Sequence, residues 1–297
     1  MKVAITGSTG LLGQALGKSL EERGDEVVRV ARGSAGGAGA DWSPAEGWVR
    51  EGVFDGCDAV VHLSGASVGE GRWTAARKAE LRSSRIDSTR LLVAHLASLD
   101  PKPRRLVVAS AVGFYGDRGD ESLTEESPRG QGFLADMTVD WEAESEKANA
   151  AGIPTAMARY GVVFANDAPA FKRLTLPFRL GAGGRLGSGR QYMPWITLHD
   201  AVAATTHLLD GDATGPVNVV APVATTNAGL TRALGRVMRR PAFMMVPRFA
   251  MRLALGELAD ALLFASNRVV PERLVADGFE FSQPEVEGAL RSLLRGD

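Results

Sequence analysis

The stretch "VAITGSTGLLGQAL" (3–16) sets Gly7, Gly10 and Gly13 at three-residue spacing between an apolar, β-branched run and a helical pattern. A strand that ends in a glycine-rich turn and opens a helix presents backbone N–H groups, and the positive end of the helix, to an anion. Gly7 permits the tight turn, Gly10 lets a pyrophosphate approach the backbone, and Gly13 lets the helix pack closely on the sheet. A glycine triplet alone is also found in merely flexible turns. The strand before this one and the helix after it make it a dinucleotide fingerprint. The backbones of Thr9, Leu11 and Leu12 share that role with the three glycines.

The same alternation continues along the first half of the chain. Apolar, β-branched runs at 2–6, 26–31, 59–63, 105–109 and 155–160 read as strands. Amphipathic stretches at 11–23, 74–99 and 133–151 read as the helices between them. Near-continuous apolar strands separated by helices predict an α/β fold with a Rossmann-type, doubly wound parallel sheet covered on both faces. After about residue 160 the rhythm changes, with helical pieces at 198–209 and 230–239 around one short strand at 217–220. The expected organisation is a dinucleotide-binding domain over 1–160. A smaller, mostly helical C-terminal substrate lobe over 161–297 follows, interleaved with the first domain.

Composition narrows the partners. A formal net charge of −1 offers no bulk attraction to nucleic acid or to an anionic membrane. Cys57 is the only cysteine, which excludes an internal disulfide and a cysteine-based metal cluster. The four histidines lack metal-ligand spacing, so no metal is expected. The N-terminus enters a strand directly, and no uncharged apolar run approaches the ~20 residues needed to cross a bilayer. A cytoplasmic protein acting on a small molecule, as a monomer or homodimer, is the expectation.

The TGxxGxxG spacing resembles the short-chain dehydrogenase/reductase superfamily, in its extended, sugar-epimerase-like branch. "DAVVHLSGA" (58–66) is similar to the fourth-strand signature, which implies that Leu63, Ser64, Gly65 and Ala66 line the cofactor. "ASAVGFYG" (109–116) resembles the fifth-strand segment that carries the catalytic serine, here Ser110. "RWTAARKAELRSSRIDSTRLL", "GRLGSGRQYMPWITLHD" and "GELADALLFASNRVVPERLVADGFEF" resemble atypical members labelled epimerase family proteins, with a C-terminal DUF1731 segment at about 247–295. The resemblance implies a fold and a nicotinamide cofactor, but no substrate.

In this fold an acid at the end of the second strand binds the ribose of NAD, whereas an arginine there suits NADP. The strand "EVVRVAR" ends at Arg32, which can clamp a 2′-phosphate or stand as a solvated arginine at a loop entrance. Asp41, at the end of a short third strand, resembles the acid that meets the adenine amine. NADP(H) is the expected cofactor.

The superfamily's Tyr-x-x-x-Lys pair has no counterpart. In "GFLADMTVDWEAE" the tyrosine position falls on Leu134 and the lysine position on Thr138, and neither can transfer a proton. Ser110 and Tyr115 are left as candidate catalytic residues, although a cap or a packing role also fits them. Arg85, where relatives carry asparagine, is the candidate to bind an anionic substrate or stabilise a phenolate. Gln191 and Trp195 are candidates to line the substrate pocket, with burial the competing role. Arg159 serves either the pocket or an internal ion pair. Two functions remain open: an NADP(H)-dependent oxidoreductase or epimerase with atypical acid/base machinery, and a non-catalytic NADP(H)-binding sensor or scaffold.

Overall fold

In the computed structural model, which describes residues 1–295, the predicted alternation produces one six-stranded sheet. Its strands are β1 (Lys2–Thr6), β2 (Glu26–Val30), β3 (Ala59–His62), β4 (Arg105–Ala111), β5 (Thr155–Tyr160) and β6 (Gly215–Val219). The spatial order is β6-β5-β4-β3-β1-β2 and every pairing is parallel. Register follows the apolar runs: Val3 lies between Val27 and Ala59, and Ile5 between Arg29 and Val61.

Alternate residues feed opposite faces, as a pleated strand requires. On one face Val3, Ile5, Val61, Val107 and Ala158 meet Leu16 and Leu20 of α1 (Leu11–Glu22). Ala4, Val60, Leu106 and Val108 point the other way, onto Leu92 and Leu96 of α2 (Ala75–Ala97) and Trp141 of α3 (Phe133–Ala150). The remaining long helices are α4 (Pro169–Arg179), α5 (Leu198–Asp210), α6 (Asn227–Met238), α7 (Arg248–Leu255) and α8 (Val286–Arg295). Phe164, Phe171 and Trp195 pack with Leu230 and Leu234 of α6 and Leu290 of α8 to form a separate core.

Residues on both sides of 160 share the main sheet, because β6 pairs with β5 and α5 covers the same face as α1. The second half of the chain therefore returns to complete the first layer before it builds the smaller lobe. The short third strand is absent as drawn. Trp42–Ser43 pairs antiparallel with Trp48–Val49 and touches β2 only through a bridge from Trp42 to Arg32, so Asp41 precedes that strand.

One buried group at the end of β3 makes the fold sensitive to pH. His62 is fully enclosed, with Nδ1 2.7 Å from Thr6 Oγ1, Nε2 3.3 Å from Ser88 Oγ and its ring against the edge of Trp42. Burial with no facing carboxylate drives its pKa from 6.5 down to about 3. The folded value lies below the unfolded one, so its contribution is complete above about pH 6.5 and is lost as the pH falls towards 3. The expected slope is about 1.4 kcal/mol per pH unit in that window. His95, lowered by burial as well, contributes in the same direction. Urea unfolding from pH 7 to 4.5 should show this decline in the wild type and a flatter profile in His62→Gln. Parallel profiles would show that His62 does not set the slope.

Candidate functional site

The site begins where β1 stops. Gly7 adopts φ +70°, and a Cβ there would lie 2.7 Å from the carbonyl carbon of Leu63, so the turn closes against the loop that leaves β3. A Cβ at Gly13 would lie 2.4 Å from the Gly7 carbonyl oxygen, which seats α1 directly on the turn. Gly10 differs from both. It is exposed, and a Cβ there would meet only the Gly7 oxygen, at 3.3 Å.

Three helices, α2, α5 and α6, cap their first turns with a side chain, whereas α1, α3, α4 and α7 do not. Thr74, Thr197 and Thr226 accept from the backbone N–H of Arg77, Asp200 and Gly229. Gly10 caps α1 with no side chain, and the first turn of α1 holds no acid. The first-turn N–H groups of α1 thus lack the partner that the threonines supply elsewhere, and such an end is suited to an anion.

Arg32 stands just past β2, exposed, and its guanidinium forms no hydrogen bond or ion pair among the described residues. Asp41 has a structural duty instead of a free carboxylate. One oxygen accepts the Ala31 N–H at 2.8 Å, and the other accepts Arg50 Nε and a terminal nitrogen at 2.9 and 2.6 Å. It braces the exit of β2, from which Arg32 projects.

The loop after β3 is held carbonyl by carbonyl. Arg85 donates to Ala66 O at 2.9 Å, Arg77 to Ser67 O at 2.5 Å, the Trp73 indole to Val68 O at 3.0 Å and Arg173 to Gly69 O at 2.6 Å. Ser84 Oγ accepts the Ala66 N–H. The loop Leu63–Ser64–Gly65–Ala66 therefore runs past the glycine turn on a fixed path. Arg85 is corrected by the same contacts. Its guanidinium serves Ala66 O and Leu81 O, lies over the Trp141 ring and sits against Gly65, so it positions the loop rather than meeting a substrate anion. Burial lowers its pKa to about 10, which leaves it charged at neutral pH.

At the end of β4, Ser110 Oγ donates to Glu142 Oε1 at 2.5 Å. Arg159 grips the same carboxylate through two nitrogens, at 2.8 and 2.7 Å, so it takes the internal ion-pair role. Sequence reading missed Glu142. The available signal was spacing: Leu134, Thr138 and Glu142 recur every four residues and share one face of α3. Leu134 packs towards Gly113, and the buried Thr138 hydroxyl donates back to Leu134 O at 2.7 Å.

Three further candidates lie in the interior. Tyr115 is wholly buried among Leu123, Val220 and Val269, donates to Asn218 Oδ1 at 2.7 Å and accepts from Arg159 at 2.9 Å. Burial raises its phenol pKa despite the neighbouring cation. A tyrosine so enclosed is a structural member of the network, not an acid facing a cleft. Gln191 is buried and donates to Leu186 O and Leu263 O, tying the C-terminal segment to the smaller lobe. Trp195, 1% exposed, stacks on Phe164 with ring centres 5.4 Å apart. Gln191 and Trp195 are thus consumed by packing, while Arg190 in the same loop is exposed.

Comparison with known proteins places the chain in a family. The family model described as "NAD dependent epimerase/dehydratase family" matches residues 3–221, and the model for the domain DUF1731 matches residues 246–293. The chain is 40% identical over 290 residues to an epimerase family protein of Mycobacterium bovis, covering 97% of this chain and 96% of that one. It superposes on the crystal structure of human epimerase family protein SDR39U1 with NADPH at a TM-score of 0.87, with 31% identity and 99% of each chain covered. UDP-glucose 4-epimerase of Thermotoga maritima shares the fold at a TM-score of 0.79 and 18% identity. This chain belongs to the NAD-dependent epimerase/dehydratase family, in the group that carries a C-terminal DUF1731 domain.

Proposed function

We propose that this protein binds NADP(H) and reduces a small carbonyl compound, with Ser110 in place of the usual tyrosine as the group that meets the substrate oxygen. The observation that carries the reading is the uncapped glycine turn of α1 beside the unpaired guanidinium of Arg32. The first suits a pyrophosphate, and the second suits a 2′-phosphate that only NADP(H) carries. The human relative crystallised with NADPH supports the same choice.

When bound there, the cofactor would supply a hydride. The remaining work falls to the chain. Gly10 leaves the pyrophosphate's approach open, and the pinned loop from Leu63 to Ala66 lines the adjoining side. Ser110 stands at the C-terminal end of β4, where ligands bind in open parallel sheets. Its hydroxyl can turn from Glu142 to donate a hydrogen bond to the substrate oxygen, which takes its proton from solvent water as the hydride adds to the carbon, and Arg159 keeps Glu142 in place to receive the hydroxyl back. A non-catalytic sensor is the second reading, favoured by Leu134 and Thr138 where the acid/base pair would stand and by the burial of Tyr115.

Gly10→Val should abolish NADPH binding while the protein stays folded, because the new side chain meets little but the ligand's approach. Calorimetric titration of a folded Gly10→Val protein that still bound NADPH normally would make the glycines purely structural.

Arg32→Ala should weaken NADPH by roughly ten- to a hundredfold, the worth of a charge-assisted hydrogen bond, and leave NADH unchanged. Equal affinity of the wild type for both cofactors would remove Arg32 from the site.

Once a carbonyl substrate is found in an NADPH-consumption screen, Ser110→Ala should lower kcat by about 10²–10³, the scale of one lost donor to a developing oxyanion. Tyr115→Phe should act on the melting temperature instead, with a smaller change in kcat. The reverse ranking would return the acid to Tyr115. Tight NADPH binding with no turnover across carbonyl compounds and nucleotide sugars would favour the sensor.

A further inference from the structure

Three helices of the smaller lobe bring their C-terminal turns to one place. α4 ends at Arg179, α6 at Met238 and α8 at Arg295. There Arg179, Arg239, Arg240 and Arg295 line an open cleft of about 500 Å³, together with the apolar side chains of Val237, Met238 and Leu294. None of the residues described around it is an acid. α4 and α6 carry none, and Glu287, the one acid of α8, is held by Arg236 and Arg291.

The helix ends do not account for so much positive charge. Each C-terminus carries roughly half a negative charge, so three of them offset one or two of the four guanidiniums. The carbonyls of the last turn of α6 are also already served. Gly235 O accepts the Arg240 N–H at 3.0 Å, and Arg236 O accepts the Arg239 N–H at 3.2 Å. Val237 O accepts Arg295 Nε at 2.8 Å and a terminal nitrogen of the same guanidinium, which keeps its charge. Arg179, Arg239 and Arg240 are exposed, and their guanidiniums form no hydrogen bond or ion pair among the described residues.

The backbone adds an independent sign. Among the described residues Arg239 is the only non-glycine with positive φ, at φ 53° and ψ 45°. Helices commonly end on glycine in this left-handed step, because a Cβ crowds the following carbonyl. At this step the chain instead carries an arginine whose charged group lines the cleft without a partner. Strain held at such a residue points to a use for its side chain.

We infer that the cleft binds a small molecule carrying a diphosphate. Arg179, Arg239 and Arg240 meet the phosphate oxygens, and Val237, Met238 and Leu294 meet the less polar remainder. Roughly two to three positive charges are left once the helix ends are counted, which matches a diphosphate better than a single carboxylate. Guanidinium forks also suit phosphate oxygens in pairs. None of these residues belongs to the glycine turn of α1, so the inference stands apart from the cofactor reading.

The test titrates inorganic pyrophosphate into the full-length protein by calorimetry at low salt, with orthophosphate and a single-stranded oligoribonucleotide for comparison. Pyrophosphate should bind more tightly than orthophosphate and weaken as salt is raised. Arg179→Ala, Arg240→Ala and Arg239→Gly should each weaken it about tenfold, the low end for one charge-assisted hydrogen bond, and leave NADPH affinity unchanged. Arg239→Gly has a second readout. Glycine suits the left-handed step, so the melting temperature should rise by about 2–4 °C while pyrophosphate binding falls. Lost binding in a more stable protein cannot be put down to misfolding. ADP and geranyl diphosphate then separate a nucleoside source from an isoprenoid one, and tighter binding of either than of pyrophosphate supports the inference.

Equal affinity for orthophosphate and pyrophosphate, or unaltered binding in all three variants, overturns it. Loss of pyrophosphate binding in Gly10→Val would assign the anion to the glycine turn instead. An oligoribonucleotide that binds more tightly than pyrophosphate and is weakened by the same variants would make the cleft a nucleic-acid surface. A tenfold gain in Asp297→Asn would give the cleft to an acid of the chain itself, and each of these three results also overturns the inference.

Discussion

The closest backbone approach in the site is the one on which its architecture rests. At Gly13 the helix comes so near the Gly7 carbonyl that no side chain fits, and at Gly7 the turn comes almost as near the carbonyl of Leu63. Three segments from two strands and a helix are thereby held in one plane of contact at the carboxyl end of the sheet. Gly10, at the head of α1, is exposed and its missing Cβ would meet only the Gly7 oxygen, so packing leaves room there and the uncapped, acid-free first turn is not forced by it.

A second constraint lies deeper. The Arg159–Glu142 pair is almost sealed, with side chains 3% and 11% exposed, and breaking such a pair typically costs about 3–5 kcal/mol. It is fully furnished with neighbours. Ser110 donates to Glu142, while Arg159 also donates to Tyr115 and lies 3.6 Å over the Phe114 ring. The pair joins α3 to β5, and Tyr115 extends the network to Asn218 on β6. The returning strand of the second half of the chain is thus tied by polar contacts to the end of β4, where Ser110 stands. Residues from the smaller lobe shape the site by fixing its frame, even though Gln191 and Trp195 turn inward.

The loop after β3 shows the same economy with charge. Arg85, a candidate for anion binding in the sequence, is engaged by the carbonyl of Ala66, and Arg77 and Arg173 are engaged by those of Ser67 and Gly69. Backbone carbonyls in an extended loop need donors, and long guanidinium side chains from α2 and α4 reach them where sheet pairing does not. Among the contacts that span the lobes, Arg173 to Gly69 fastens the smaller lobe to the cofactor side, and Arg72 to Leu253 fastens α7.

What the sequence determined by itself is local. Period-two apolar runs and helical periodicity placed β1 and β5 at their observed limits and α1 to α3 within two residues of theirs, because side-chain alternation and turn chemistry act over a few residues. The glycine turn and the position of Arg32 were legible for the same reason, and so was the absence of a tyrosine and lysine at Leu134 and Thr138. Tertiary structure alone decided which polar side chains are free. Tyr115 is buried by a partner 103 residues away, Arg85 is drawn to a loop 19 residues upstream, and Glu142 acquires its role only when Arg159 arrives on the neighbouring strand. Strand β6 joins β5 although a whole lobe begins between them in the chain. Whether a donor faces a ligand or a carbonyl is settled by desolvation and by contacts far apart in sequence, and no local pattern encodes that competition.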